Sequence, residues 1–204
     1  MYDLANVNIS VESVDCTFVP VVGGVGIKQL GTQNYHSNEI ANSFAKKFGG
    51  SAVQFFAPAI FRNIDIMDGL KKEKPVEEVT SLFPLLHAVI MGVGSTEASH
   101  STLVDSGYIT PEQYAHYKEM GAVGDVMLRF FDENGNEGPF EEFNDRVMAI
   151  SEENLAQIDT RIAIAVGEEK ARAILGALRG KRINVLITDI SCVNRILAIM
   201  EEEK

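Results

Sequence analysis

The amino-acid sequence predicts an α/β fold in three layers, with helices covering both faces of a mostly parallel sheet. The apolar runs are short, nearly continuous and often β-branched, and segments with a helical repeat separate them. Strands of this kind are typical of parallel sheets that are buried on both faces. Several runs also end in glycine-bearing segments, and ligands of such sheets bind beyond the carboxyl ends of the strands.

The first half of the chain opens with a predicted strand at residues 16–22 and a helix at residues 34–48. Phe44 and Phe48 share the apolar face of that helix, and Gly49 follows where helices prefer to end. Further along, the patterns predict a strand at 52–57 closed by Pro58, a weaker helix at 76–86 and a strand at 86–94.

The second half contains a clear helix start at Thr110. Thr110 can cap the helix, Pro111 suits its first position, and Gln113 can complete a capping box. The patterns after residue 151 predict a short helix, a strand at 161–166, a helix at 168–180 ending at Gly180, a strand at 183–188 and a helix at 189–200. We read residues 1–204 as a single domain.

Composition excludes some functions. The 204 residues carry a net charge of −11, which argues against nucleic-acid binding because that requires clustered basic residues. The two cysteines form no paired motif, the first residues lack a secretory pattern, and no apolar run has the length of a membrane span. We expect a cytoplasmic protein with no membrane contact.

The stretch VPVVGGVG, residues 19–26, ends a predicted strand in three glycines. It matches neither the GxGxxG pattern of dinucleotide sites nor a Walker loop, so neither of these nucleotide cofactors is indicated. Successive main-chain N–H groups could form a nest for an anion. A tight turn between strand and helix explains the glycines equally well, and the sequence leaves both explanations open.

Two later loops offer groups that could hold a phosphate. Residues 91–102 combine glycines with several hydroxyl side chains, similar to a GTGST-type loop of ribose-5-phosphate isomerase. Lys170 lies in the predicted first turn of a helix, an end that cations avoid unless an anion is also present. A plain loop and a surface lysine balanced by Glu168 and Glu169 are the alternatives.

Residues 125–131 read as one continuous strand, which is expected to turn at 134–135 and to return near 146–150. On such a strand Asp125 and Arg129 would face the same side. Charged groups on a covered sheet are costly unless they are paired or bound to a polar ligand. A sugar ligand and an Asp–Arg ion pair therefore remain alternatives.

In chain order these segments resemble the effector-binding domain of the SorC (sorbitol-operon) family of bacterial transcriptional regulators. The resemblance covers roughly residues 17–200. It rests mainly on GAVGDVMLRFFD and on the closing GEEKARAI and INVLITD. Supporting segments are VPVVGGVG, HSNEIANSFAKKFGG, FFAPAIF, MGVGS and DSGYIT.

The resemblance implies a fold related to ribose-5-phosphate isomerase and glucosamine-6-phosphate deaminase. It implies a sensor that binds a sugar or sugar phosphate at the strand ends, without catalysis or cofactor, in a homodimer or homotetramer. Asp125 and Arg129 would contact sugar hydroxyls, and Lys170 would contact a phosphate. The site residues implied are Gly23, Gly24, Val25, Gly26, Asn38, Pro58, Gly94, Ser95, Asp125, Arg129 and Lys170.

The sequence departs from the family at its start. It shows no helix-turn-helix, and the stretch before VPVVGGVG is short, so we expect an N-terminally shortened domain whose DNA contact would come only through an absent module. Two other functions stay open. One is a sugar-phosphate isomerase or deaminase with Asp125 as general base, and the other is a remnant that keeps only an association surface.

Overall fold

The structure is a computed structural model, and the residues it describes are 7, 12–25 and 36–204. The chain divides into two compact units. The first is Met1–Leu85 with Arg146–Ser151, and the second is Leu86–Asp145 with Glu152–Lys204. Every residue of the second unit is described. That residues 1–204 form one domain stays a prediction.

The first unit contains a parallel pair of short strands, β1 (Thr17–Phe18) and β2 (Ser51–Ala52). Both are shorter than the predicted strands at 16–22 and 52–57. Beyond β1 the described residues of this unit form isolated bridges, from Val22 to Ala149, from Gly24 to Pro58 and from Ile60 to Val147. The described helices of this unit are α1 (Ser37–Phe48), α2 (Ile64–Lys71) and α3 (Lys74–Thr80).

Helix α1 confirms the prediction for residues 34–48 over the residues that are described. His36 caps it by accepting a hydrogen bond from the Asn38 N–H, and Gly49 ends it in a left-handed conformation with φ of 68°. Its apolar face packs on β1, because Phe44 stacks on Phe18 with ring centroids 5.8 Å apart. Aromatic packing of this kind fixes a short strand that few main-chain hydrogen bonds hold.

The second unit is built on a parallel sheet of β3 (Ala88–Met91), β7 (Thr160–Ile164) and β8 (Val185–Ile187), in the order β3-β7-β8, which confirms the α/β class. Strands β7 and β8 pair in parallel, and helix α8 (Ala171–Arg179) connects them as a βαβ unit. Within β3, Val89 and Met91 are buried while Ala88 and Ile90 are exposed.

An antiparallel sheet of the second unit corrects the prediction for residues 125–131. The chain reverses at Met127 and Leu128, which have φ of 51° and 67°, so these residues form a hairpin rather than one strand. Segment 146–150 does not pair back here; it pairs within the first unit. The strands are β4 (Gly94–Ser95), β5 (Gly124–Val126) and β6 (Arg129–Phe131), in that order.

The other helices of the second unit are α4 (Thr102–Asp105), α5 (Pro111–Glu119), α6 (Glu141–Asn144), α7 (Glu152–Gln157) and α9 (Ile190–Glu202). Helix α5 has the predicted capping box of Thr110 and Gln113. Its Tyr117 stacks on Phe130, with ring centroids 4.9 Å apart, and so joins the helix to β6. None of the helices in the described ranges combines the length and apolar character that crossing a bilayer requires.

Candidate functional site

The glycine turn of the first unit is held by main-chain hydrogen bonds. The Gly23 N–H donates to the Met148 carbonyl at 2.8 Å, and the Gly24 N–H donates to the Ala57 carbonyl at 2.7 Å. Of the two explanations that the sequence left open, the anion nest is therefore not available to these two amides, because each already has an acceptor in the protein. Gly26 lies outside the described residues.

Close approach of the protein's own chain explains the glycines at positions 23 and 24. A Cβ atom on Gly23 would lie 2.4 Å from the Pro58 carbonyl oxygen, and one on Gly24 would lie 2.2 Å from His36 Nε2. Neither distance allows a larger residue without movement of the neighbour. Val25, the next residue, is half-buried. Effector contact by any of these residues stays a prediction.

Asn38 is buried in the first turn of α1, and its amide pairs with the main chain of Phe55. Oδ1 accepts from the Phe55 N–H at 2.8 Å, and Nδ2 donates to the Phe55 carbonyl at 3.2 Å. Beyond the end of β2, the Asn38 side chain thus supplies the two main-chain hydrogen bonds that a neighbouring strand would make. This arrangement fixes the segment that leads to Pro58.

The second unit brings Gly94, Ser95, Asp125 and Lys170 to one edge of its parallel sheet; we call these four residues the strand-end site. Gly94 and Ser95 form β4 shortly after β3, and Asp125 pairs with Gly94 across the antiparallel ladder. Lys170 ends a 3₁₀ turn that follows β7. Ligands of parallel sheets bind at this edge.

The Asp125 carboxyl group covers Gly94. A Cβ atom on Gly94 would lie 2.1 Å from Asp125 Oδ1, so a side chain at position 94 would displace the carboxyl group. Burial raises the pKa of Asp125 to about 6, although a main-chain hydrogen bond from Leu128 and the nearby Lys170 ammonium group both lower it. Such a carboxyl group can accept a hydrogen bond from a hydroxyl when ionised and donate one when protonated.

Ser95 joins the two loops of the strand-end site. Its hydroxyl donates to the Glu169 carbonyl at 2.6 Å, and its own carbonyl accepts from the Tyr114 hydroxyl at 3.0 Å. The residue is buried. Burial raises the pKa of Tyr114, and the negative charge of Asp125 raises it further. Tyr114 therefore stays a neutral donor to Ser95.

Lys170 follows β7 and immediately precedes α8, close to its predicted place. Its Nζ donates to the Val93 carbonyl at 3.0 Å, between β3 and β4. One hydrogen bond to a carbonyl leaves an ammonium group two further donors. Gly167, which begins the turn, has φ of 103°, a conformation that favours glycine.

Arg129 does not share a face with Asp125. In the hairpin Arg129 pairs with Val126 and Asp125 pairs with Phe130, so the two charged side chains point to opposite faces. Neither the predicted shared face nor an Asp125–Arg129 ion pair is present in this hairpin. The Arg129 guanidinium instead binds Glu137, with Nη2 2.5 Å from Oε2.

Glu137 is the centre of a charge cluster that the sequence analysis missed. Its second oxygen, Oε1, accepts from Arg182 Nη2 at 2.9 Å. Burial alone would raise the pKa of Glu137, but the hydrogen bonds and charges of Arg129 and Arg182 together outweigh it, and that pKa is lowered. Burial alone would lower the pKa of Arg129, but Glu137 and the nearby carboxylates together raise it. Hydroxyl contact by Arg129 stays a prediction.

The predicted site residues divide between the two units. Gly23, Gly24, Val25, Asn38 and Pro58 lie in the first unit. The strand-end site and Arg129 lie in the second. No group of three or more His, Cys, Asp or Glu side chains in the described ranges is arranged to hold a metal ion.

A family model matches residues 3–198, almost the whole chain. The chain belongs to the Sugar-bind family of sugar-binding domains. The similarity to the LsrR transcriptional regulator of Klebsiella pneumoniae subsp. pneumoniae is 31% identity over 144 residues, 70% of this chain and 45% of LsrR. The deoxyribonucleoside regulator of Bacillus subtilis is 31% identical over 171 residues, 84% of this chain and 53% of that protein.

A solved structure shares the fold. The full-length sorbitol operon regulator SorC of Klebsiella pneumoniae matches with a TM-score of 0.79 and 26% identity, covering 95% of this chain and 61% of SorC. The predicted resemblance to SorC-family regulators is thereby confirmed. These relatives are transcriptional regulators rather than enzymes. The Sugar-bind chain spans about half the length of the curated relatives it matches.

Proposed function

We propose that this Sugar-bind chain is the sensor domain of a bacterial regulator of carbohydrate metabolism, and that it binds a sugar phosphate at the strand-end site. The observation that carries the proposal is the position of Lys170, whose ammonium group lies at the carboxyl edge of the parallel sheet beside Asp125. A cation at this edge suits a phosphate, and Asp125 suits a sugar hydroxyl.

Regulation would follow from differential binding. A ligand shifts a conformational equilibrium only by its difference in affinity for the two states. The two loops of the strand-end site are joined by the bond from Ser95 to Glu169, so a ligand that contacts both loops favours the arrangement in which they are joined. We propose that the chain forms a homodimer or homotetramer and that this preference shifts the conformational equilibrium of that oligomer.

The net charge of −11 supports a role without direct DNA contact by these residues. We therefore propose that operator DNA is bound by a separate module. A cytoplasmic location follows from that role.

Calorimetric titration of the purified chain tests the proposal. The ligands are D-ribose 5-phosphate, D-fructose 6-phosphate and D-glucose 6-phosphate, each compared with its unphosphorylated sugar. The proposal predicts binding of at least one phosphate ester, weaker binding of its parent sugar, and no product by chromatography after prolonged incubation. Product formation would show an enzyme instead. Equal affinity for an ester and its parent sugar would exclude a phosphate-binding role for Lys170.

A further inference from the structure

The N-cap residue of α9, Asp189, uses its two carboxylate oxygens for different purposes. Oδ1 accepts from the Cys192 N–H at 2.9 Å and from the Ser191 hydroxyl, which caps the helix. Oδ2 accepts from the Gly167 N–H at 2.6 Å. Capping requires only the first oxygen, so the bond to Gly167 does something other than cap α9.

Gly167 starts the turn that presents Lys170. The Lys170 N–H donates to the Gly167 carbonyl at 3.1 Å, closing the turn, and Lys170 Nζ reaches the Val93 carbonyl. Near the other end of the turn, the Ser95 hydroxyl donates a hydrogen bond to the Glu169 carbonyl. The turn is therefore held at its first residue by Asp189 and near its last by Ser95.

We propose that Asp189 is a positioning residue, which acts through Gly167 to hold Lys170 in the strand-end site and does not touch the effector. The phosphate part of this inference rests on the proposed function. Three hydrogen bonds, from the Ser191 hydroxyl and from the Cys192 and Gly167 N–H groups, occupy the Asp189 carboxylate. They lower the pKa of Asp189 to about 2, so the group is ionised at neutral pH.

Two variants separate positioning from capping. Asp189→Asn keeps an oxygen for the Cys192 N–H but turns an amide donor toward Gly167. Asp189→Ser keeps a capping hydroxyl that is too short to reach Gly167 as well. Asn63→Ser is the matched control, because Asn63 caps α2 in the same way and lies in the first unit.

The first readout is hydrogen exchange by nuclear magnetic resonance, which needs no ligand. In both Asp189 variants we expect the Gly167 amide and the Lys170 ammonium group to exchange about tenfold faster. The Gly167 amide loses its acceptor, and Lys170 loses the support of the turn that Gly167 starts. The Cys192 amide should be unchanged, and Asn63→Ser should alter neither signal. Unchanged exchange at Gly167 and Lys170, or an equal rise at Cys192, would overturn the positioning role.

The second readout is affinity for inorganic phosphate. We expect Asp189→Asn and Lys170→Met each to weaken it about five- to tenfold, and the double variant to bind no worse than Lys170→Met. Additive losses would overturn the proposal that Asp189 acts through Lys170. If the unaltered chain binds neither phosphate nor any ester, the proposed function fails, and the exchange readout alone decides the positioning role.

Discussion

Asp125 and Arg129 lie on opposite faces of a tight hairpin, although only three residues separate them in sequence. The reversal at Met127 and Leu128 sends Asp125 toward Gly94 and Arg129 toward Glu137. One charged residue thus belongs to the strand-end site, and the other belongs to an internal ion-pair cluster. Substitutions at the two positions should therefore have different consequences.

Removing the charge of Glu137 should destabilise the protein more than removing the charge of Arg129. Glu137→Gln removes the carboxylate that the partly buried Arg129 and the buried Arg182 share and leaves Arg182 with Glu152, 3.6 Å away, which should cost about 3 kcal/mol. Arg129→Met leaves Glu137 paired with Arg182, so its cost should be about 1–2 kcal/mol. Urea unfolding of both variants measures the difference. Equal losses would show that the cluster does not act as a unit.

Asp125 should make stability depend on pH. Its pKa is raised from 3.8 to about 6 in the folded protein, so the folded state binds more protons than the unfolded state between these values. The free energy of unfolding should therefore fall as pH rises from 4 to 7, by about 2 kcal/mol from this group. Below pH 4 its contribution is fully present.

Asp125→Asn should remove that part of the pH dependence, and the exposed Asp105→Asn is the matched control. Denaturant unfolding at a series of pH values compares each variant with the unaltered chain. An unchanged slope in Asp125→Asn between pH 4 and 7 would mean that the Asp125 carboxyl group is well hydrated in the folded protein.

The glycine turn should not tolerate a side chain at position 23. Gly23→Ala would place a Cβ atom 2.4 Å from the Pro58 carbonyl oxygen, which belongs to the main chain and cannot rotate away. We expect a loss of about 2–3 kcal/mol in the free energy of unfolding. Gly92→Ala is the control, because its Cβ atom would meet nothing within 4 Å. Similar stability of the two variants would contradict the packing explanation.

Local signals predicted part of the fold well. The boundaries of α1 and α5 follow from Gly49 and from the capping box at Thr110, because these interactions lie within a few residues of chain. The βαβ unit of β7, α8 and β8 follows from the alternation of apolar runs. The hairpin was missed because Met127 and Leu128 are buried and apolar, whereas turns with positive φ are usually recognised by Asn or Gly.

The candidate site was predictable only where a contact is local or tied to a strand end. Lys170 and Gly94 lie at strand ends, and the sequence placed both there. The acceptors of the Gly23 and Gly24 amides come from the distant segments at Met148 and Ala57, which no local pattern reveals. Glu137 was missed for the same reason, since Arg182 reaches it through the fold rather than along the chain.

Titration of the Lys170→Met chain with the tightest-binding phosphate ester tests the central claim most directly. Lys74→Met is the matched control, because Lys74 is 85% exposed and far from the strand ends in sequence. We predict that Lys170→Met weakens the ester at least about tenfold while leaving the parent sugar's affinity unchanged, and that Lys74→Met changes neither. Undiminished affinity of Lys170→Met for the ester would contradict the account.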